Sequence, residues 1–339
     1  MSSHPLTCKV YGYKPKGVPR AMDVNSEMNK GNAVNVRKMI EQKKSSRNLN
    51  NLIEKVMPKL LFVIASISIL TTVGILYTLL SETFEFFQRV PIVDFFTGTV
   101  LRPLSQDPQF GVLPLLTGTI ISSVIAMFVA IPIGLMTAIF LSEYASDKVR
   151  RTLKPMLEIL AGIPTIVYGF FAFTFVTPIL RDIIPGLQAT NILSPGIVMG
   201  IMIIPMVASL SEDAMSSVPR AMREGALALG ATRLEVTGKV VIPAAISGII
   251  ASFVLGISRA IGETMIVTIA SGSTKNFTFD ITQSMQTMTA YIVEVTGGDA
   301  PAGSTIYYSL YAVAMTLFVF TFLMNLLARY ISRRFREEY

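Results

Sequence analysis

The sequence is short of the residues that build reactive or cross-linked sites. Its 339 residues include one cysteine, one histidine and no tryptophan. A single cysteine, Cys8, rules out a disulfide within the chain, and a single histidine, His4, argues against a histidine-based metal site or catalytic triad. The sequence also has no G-x-S-x-G nucleophile turn and no metal-ligand spacing. We therefore expect a protein that is not an enzyme and holds no resident metal or cofactor.

Charge is scarce as well, and long apolar runs take its place. Charged residues make up 15% of the chain and hydrophobic residues 51%, with a mean hydropathy of +0.56. About 20 apolar residues suffice for a helix to cross a bilayer, and backbone groups in lipid must be paired internally. The sequence therefore predicts an all-α membrane protein with six transmembrane helices, over residues 60–80, 113–142, 155–180, 193–215, 244–271 and 305–328.

The basic residues fix the predicted orientation. Of the 29 Lys and Arg residues, 24 lie in segments 1–59, 143–154, 216–242 and 329–339. The positive-inside rule therefore predicts that the N and C termini are both cytoplasmic. The basic residues flank spans and form no nucleic-acid-binding module, so we expect no nucleic-acid partner.

The predicted organisation has four parts. Residues 1–59 form a basic cytoplasmic tail, 60–112 the first span with an external loop, 113–329 the main transmembrane domain, and 330–339 a second cytoplasmic tail. Within the first tail we expect residues 1–34 to be disordered. Residues 35–57 are expected to form a basic surface helix, which either touches anionic lipid heads or is simply solvated.

The polar segment 217–243 predicts a pair of short helices between two spans. Ser216 or Ser217 can cap the first helix, with Pro219 in its first turn. Gly230 can end that helix in the left-handed conformation.

The second helix of this pair carries a capping box, formed by Thr232 and Glu235 three residues later. Pro243 then opens the fifth span. A well-capped connector is one interpretation of this segment, and a surface presented to a cytoplasmic partner is the other.

A spaced pattern in the segment resembles the cytoplasmic signature of binding-protein-dependent ABC importer permeases, with Gly225 where that family usually has alanine. The matching positions are Glu224, Gly225, Ala226, Gly230, Val240, Ile242 and Pro243. The resemblance implies the type I (MetI-like) fold and a coupling helix that seats in an ATP-hydrolysing subunit. We call residues 217–243 the coupling loop. The implied coupling residues are Arg223, Glu224, Gly225, Ala226, Gly230 and Pro243.

The chain is not expected to hydrolyse ATP itself. Residues 225–232 have the outline of a phosphate-binding P-loop, but Ala231 stands where the essential lysine would be, and the segment is predicted to be helical.

Two charges lie inside the predicted fifth span. Arg259 and Glu263 are four residues apart, so on a continuous helix they share a face and can pair. One interpretation is a buried ion pair that fixes packing, and the other is a binding step on a substrate pathway. Arginine presents a planar fork of donors that suits phosphate oxygens. Glu263 could reclaim Arg259 after a phosphate ion has left.

The stretch from Arg259 to Thr268 resembles the Arg-Ala-x-Gly-Glu-Thr motif of phosphate ABC importer permeases, in the form of the PstC-type subunit. Residues 140–145 and 325–329 show supporting likenesses. The resemblance implies that Arg259, Glu263 and Thr264 lie on the path of phosphate. It also implies a permease that works by alternating access in the cell membrane.

The partners implied by that resemblance are a sister permease of the PstA type, a dimer of cytoplasmic ATP-binding subunits and an external phosphate-binding protein, all around the lipid bilayer. Two alternatives stay open. The cargo could be another oxyanion, such as phosphonate, sulfate or molybdate, or the chain could be a secondary transporter that needs no ATPase.

Overall fold

The computed structural model describes residues 24–298 and 300–334, and these parts of the chain are almost entirely helical. The helices are α1 Val24–Arg89, α2 Ile92–Thr97, α3 Leu113–Ile139, α4 Asp147–Ala161, α5 Thr165–Phe171, α6 Thr177–Ile183, α7 Leu193–Ser216, α8 Arg220–Ala228, α9 Arg233–Val236, α10 Ile242–Ile261, α11 Met265–Ala270, α12 Met288–Gly297 and α13 Thr305–Arg334. Strands β1 Leu101–Arg102 and β2 Gln109–Phe110 pair antiparallel in the loop between α2 and α3.

Wider π-helical turns follow three of these helices; the second and third continue into the next helix, and the first ends at Ala145. They cover Phe140–Tyr144 after α3, Ala172–Val176 between α5 and α6, and Thr237–Val241 between α9 and α10. In each turn the next backbone N–H reaches back five residues, for example from Ala145 to the carbonyl of Phe140 at 2.8 Å. Such turns are often found at functional sites.

Within residues 24–298 and 300–334, six helical segments are long and apolar enough to cross a membrane, which agrees with the predicted number. They are Val56–Arg89, Leu113–Tyr144, Thr165–Ile183, Leu193–Ser216, Arg233–Ile261 and Thr305–Tyr330.

The third span begins later than predicted. The sequence predicts a span from residue 155, whereas the structure places an amphipathic helix, α4, up to Ala161 and begins the span at Thr165. Pro164 separates the two helices, because proline lacks a backbone N–H and disfavours helical geometry in the residue before it. No residue of α4 is buried within the chain.

The fifth span is displaced in the opposite direction: it begins and ends earlier than the predicted range of 244–271. The helix continues from Arg233 through the π-helical turn into α10. Pro243 therefore lies inside the first turn of α10 and does not interrupt the helix. The helix then ends at Ile261, with Gly262 as its C-cap, and a separate short helix begins at Met265.

The surface helix predicted over 35–57 is part of α1, which already begins at Val24. Residues 24–34, predicted to be disordered, are therefore helical, and residues 1–23 lie outside the described residues. Contacts within the chain define one unit that ends at Gly74 and another that begins at Ile75. All sites discussed below belong to the second unit.

Helix α7 is the centre of the second unit. It packs against α3, α10 and α4, and it is the most buried of the spans. Glycines allow the close approach of α3 and α7: a Cβ added to Gly200 would lie 2.7 Å from the carbonyl oxygen of Ala126, and one added to Gly196 would lie 2.8 Å from Ile125. Small residues are the usual means by which membrane helices approach closely.

Candidate functional site

Arg259 lies in the last turn of α10 and is exposed on the surface of the chain. Its recorded polar contact is from Nη2 to the sulfur of Met202 on α7, at 3.9 Å. Among the described residues no carboxylate lies within ion-pair distance of the guanidinium. The negative end of the α10 dipole favours a cation at this position. The structure therefore presents a cation that is held by a helix end and open to a second partner.

The predicted pair between Arg259 and Glu263 is wrong in this structure. The helix ends at Ile261, between the two residues, so their spacing no longer places them on one face. The side chain of Glu263 is buried instead, and its Oε1 accepts hydrogen bonds from the backbone N–H groups of Met265 at 3.1 Å and Ile266 at 3.3 Å. Glu263 thus caps the N-terminus of α11, where a carboxylate also suits the helix dipole.

Thr264 completes the turn between α10 and α11. Its hydroxyl donates to the carbonyl of Gly262 at 3.3 Å, and its carbonyl accepts the hydroxyl of Thr268 at 2.7 Å. The hydroxyl of Thr289, from α12, donates to the carbonyl of Glu263 at 2.7 Å. The turn that follows Arg259 is therefore held from both sides, and the three predicted pathway residues lie together.

Helix α5 packs against α11 at close range. A Cβ added to Gly169 would lie 3.1 Å from the carbonyl oxygen of Met265 and 3.2 Å from the Cα of Ile266. One residue earlier, the hydroxyl of Tyr168 donates to the carbonyl of Leu160 in α4 at 2.9 Å. Helix α4 is thereby connected through α5 to the turn that follows Arg259.

The first helix of the coupling loop, α8, starts with a different cap from the one predicted. Pro219 occupies the cap position, with an extended ψ of 137°. The hydroxyl of Ser216 donates to the carboxylate of Glu212, and the hydroxyl of Ser217 donates to the carbonyl of Ala214. Both serine side chains are therefore hydrogen-bonded to α7 and not to α8. The prediction that one of these serines caps α8 is wrong, because local spacing does not reveal competing partners in the preceding helix.

The other local signals in the coupling loop are confirmed. Gly230 has a φ of +88°, the left-handed conformation that ends a helix. Thr232 and Glu235 form the capping box of α9, with the Glu235 carboxylate 2.9 Å from the Thr232 N–H and the Thr232 hydroxyl 3.4 Å from the Glu235 N–H.

The outer face of the coupling loop exposes a small apolar patch beside an acidic residue. Leu227, Leu229 and Leu234 are 44%, 91% and 73% exposed. Glu224 is exposed on the same short helix pair, and a Cβ added to Gly225 would meet nothing within 4 Å. Ala226 packs against the apolar cluster beneath the loop. A contiguous exposed apolar patch marks an interaction site, so these three leucines are candidates for contact with a partner.

Arg223 does not belong to that outer face. Its guanidinium donates to the carbonyls of Met215 at 2.7 Å and Val218 at 3.0 Å, and it forms an ion pair with Glu143 at 3.2 Å. Glu143 lies in the π-helical turn that ends α3. Arg223 therefore ties α8 to the ends of two spans.

One charged cluster was missed by the sequence interpretation. Glu212, near the end of α7, is fully buried and meets Arg150, Lys154 at 2.8 Å and the hydroxyl of Ser216 at 2.8 Å. Burial alone would lower the pKa of Lys154, but its hydrogen bonds to Asp213 and Glu212 outweigh burial and raise it. Two adjacent acids at the end of a span, with a basic segment one loop away, were the available signal.

The comparisons with known proteins agree with this architecture. The family of binding-protein-dependent transport system inner membrane components matches residues 130–337. The chain belongs to this family and is therefore a multi-pass inner membrane transport subunit rather than a catalytic one. Membership implies an ATP-binding subunit and an external binding protein as partners.

Two relatives with close sequence similarity are permease proteins. The chain is 35% identical over 242 residues to the probable ABC transporter permease protein YqgH of Bacillus subtilis, covering 71% of this chain and 78% of that protein. It is 31% identical over 303 residues to the probable phosphate transport system permease protein PstC of Methanocaldococcus jannaschii, covering 82% and 94%.

Solved structures confirm the predicted type I, MetI-like fold. A bacterial ABC transporter involved in alginate import matches with a TM-score of 0.59 at 17% identity, covering 85% of this chain and 99% of that one. The inward-facing MetNI methionine transporter matches with a TM-score of 0.51 at 17% identity, covering 67% and 95%.

Proposed function

We propose that the chain is the permease subunit of an ATP-driven phosphate importer and forms part of the phosphate pathway by alternating access. The observation that carries this proposal is Arg259, an exposed arginine in a membrane span that has no carboxylate partner among the described residues. Charges in membrane spans usually face a bundle interior or a water-filled path. The relative from Methanocaldococcus jannaschii, by its name a phosphate transport permease, supports phosphate as the cargo.

The arrangement suits an anion that has to bind and then leave. The guanidinium offers several donors to phosphate oxygens. The carbonyl end of α10 lies beside it, and this end of the helix dipole repels an anion. Binding at Arg259 is therefore weakened from the start, so the site passes phosphate on without needing Glu263 as a counter-charge. Glu263 and Thr264 act by fixing the turn that positions Arg259.

The coupling loop is proposed to dock into the ATP-binding subunit on the cytoplasmic side. Its exposed leucines and Glu224 form the contact surface, while Arg223 holds the loop to the spans. Gly230 shapes the backbone between α8 and α9, and Pro243 lies in the first turn of α10. The concentration of basic residues at this side of the membrane supports a cytoplasmic location for the loop and for both chain termini.

The complete importer is proposed to contain a sister permease of the PstA type, two copies of the ATP-binding subunit, which hydrolyse ATP, and an external phosphate-binding protein. The exposed position of Arg259 in the single chain supports a second permease that covers it. Another oxyanion, such as phosphonate, sulfate or molybdate, is the alternative cargo, because an arginine fork also suits these anions. A secondary transporter is disfavoured by the family assignment.

The test is phosphate uptake in cells that lack their own copy of this subunit. Arg259→Met should abolish uptake while the ATP-binding subunit still co-purifies, because it removes the cation and leaves the coupling loop intact. Arg259→Lys is the matched control and should keep part of the activity. Glu224→Lys should weaken co-purification. Normal uptake by Arg259→Met would disprove the pathway assignment, and failure of the wild type to restore phosphate uptake would disprove the cargo.

A further inference from the structure

The buried carboxylate of Glu212 has no part in the pathway or in the docking surface described above. It lies in the last two turns of α7, its side chain is completely buried, and its two oxygens meet Arg150, Lys154 and Ser216. Burying a carboxylate is costly unless it is paired and hydrogen-bonded. The buried carboxylate of Glu212 is therefore stable only while Arg150, Lys154 and Ser216 remain in contact with it.

The two cations both come from α4. That helix has no buried residue, and its apolar side chains Met156 and Ile159 are exposed. Leu153 and Leu157 are only half-buried. The ion pairs to Glu212, supplemented by the exposed pair of Lys154 with Asp213 at 2.5 Å, are therefore the main polar attachment of α4 to α7.

The same end of α7 also holds the coupling loop. Arg223 of α8 donates to the carbonyl of Met215, three residues after Glu212, and to Val218. At its other end, α4 accepts the hydrogen bond from Tyr168, and α5 packs against α11. The last turns of α7 thus connect the coupling loop on one side with α4, and through α5 with the turn after Arg259, on the other.

We propose that Glu212 is a positioning residue of the transport cycle, which clamps α4 to the end of α7 so that α4 follows the coupling loop when the ATP-binding subunit moves it. The inference rests on the proposed function. Removing the charge would leave Arg150 held by the Ser216 hydroxyl at 3.0 Å and Lys154 held by the exposed Asp213. Helix α4 would then be attached to α7 more weakly and would follow the loop less closely. ATP would still be hydrolysed, but less of the motion would reach the pathway.

The experiment uses the complete transporter, with its sister permease, ATP-binding subunits and binding protein, reconstituted in liposomes. Phosphate transported per ATP hydrolysed is measured for the wild type, for Glu212→Gln and for Glu158→Gln. Glu158→Gln is the matched control, because it makes the same chemical change at an exposed position of α4 that forms no ion pair among the described residues. We expect Glu212→Gln to lower the ratio at least roughly fivefold, and Glu158→Gln to leave it unchanged.

A second variant separates coupling from folding. Arg150→Gln, Lys154→Gln and Glu212→Gln together leave no unpaired buried charge, so this triple variant should assemble normally even if Glu212→Gln alone does not. We expect it to hydrolyse ATP and to show the same low ratio. A triple variant that transports as the wild type does, or one that fails to assemble, would show that the cluster only supports folding, and would refute the clamp.

A cargo-independent measurement distinguishes this proposal from the proposed function. Backbone hydrogen exchange of α4, residues 147–161, should be faster in Glu212→Gln than in the wild type or in Glu158→Gln. If exchange rises as expected while the wild type carries no phosphate, the clamp stands and the cargo assignment falls. If exchange in α4 is unchanged, the proposed role of Glu212 is refuted, whatever the cargo is.

Discussion

Arg259 and Glu263 have different tasks because the helix ends between them. Arg259 remains at the carbonyl end of α10, and Glu263 turns inward to cap α11. A helix end favours a cation at its C-terminus and an anion at its N-terminus. Each charge therefore has a helix end as its partner, and the two charges need not neutralise each other.

The capping role of Glu263 predicts how substitutions there behave. Glu263→Gln keeps an oxygen that can accept from Met265 and Ile266, so we expect it to retain most phosphate uptake. Glu263→Ala removes the cap, at a cost of about 1 kcal/mol in the stability of that turn, and should lower uptake. Uptake assays at matched membrane levels compare the two. Loss of uptake in both variants alike would show that the negative charge itself is required.

At the scale of elements, the coupling loop combines a rigid frame with an open surface. Gly230 and the capping box fix the ends of α8 and α9, and Arg223 anchors α8 to the spans. Between these fixed points Glu224 is exposed and forms no ion pair with the described residues, and Leu229 is 91% exposed.

Two glycines of this loop make a matched pair. Gly230→Ala places a side chain at a φ of +88°, which should destabilise the loop by about 1–2 kcal/mol. Gly225→Ala meets nothing within 4 Å and lies inside α8, so it should be neutral or stabilise the helix by up to about 1 kcal/mol. Co-purification of the ATP-binding subunit should fall for Gly230→Ala alone. Equal behaviour of the two would contradict a conformational role for Gly230.

The apolar patch of the loop yields a separate prediction. Leu229 is 91% exposed, so Leu229→Glu should leave the fold of the chain unchanged. In the assembled importer it should weaken binding of the ATP-binding subunit by 1 kcal/mol or more, roughly a fivefold or greater loss of affinity. Pull-down from detergent extracts measures this. Ala228→Glu, which adds the same charge at the neighbouring exposed position without removing a leucine, serves as control, and an effect of equal size there would indicate simple charge repulsion.

The sequence correctly predicted the helix end at Gly230, the capping box of α9 and, within the described residues, the number of membrane spans. It did not predict where a helix ends inside a long apolar run. The capping box and Gly230 depend on neighbouring residues alone and were confirmed. The apolar run continues past Gly262, so hydropathy gave no sign that α10 ends at Ile261, and the predicted charge pair depended on that continuity. The Glu212 cluster joins residues about sixty positions apart, a contact that only the packing of α4 on α7 creates.

At the scale of the whole molecule, the close contact between α3 and α7 lies at the centre of the second unit. A Cβ on Gly200 would lie 2.7 Å from both the Ala126 carbonyl oxygen and the Val129 side chain. Gly200→Val should therefore force the helices apart and destabilise the subunit by on the order of 1–3 kcal/mol. Thermal inactivation of the detergent-solubilised complex measures the loss. Gly297→Ala, where a Cβ meets nothing within 4 Å, should match the wild type, and unchanged behaviour of Gly200→Val would contradict the packing argument.

The exposed guanidinium of Arg259 also affects how long an unassembled copy of the chain persists in the membrane. A folded copy without its partners keeps this cation exposed near the end of a membrane span, and a charge in a span is costly unless it faces a partner or a water-filled path. The exposed arginine therefore distinguishes unassembled copies from assembled ones, and we expect membrane proteases to degrade the unassembled copies faster. The amount of importer in the cell would then be set by the scarcest partner, which half-life measurements with and without the partner subunits would reveal.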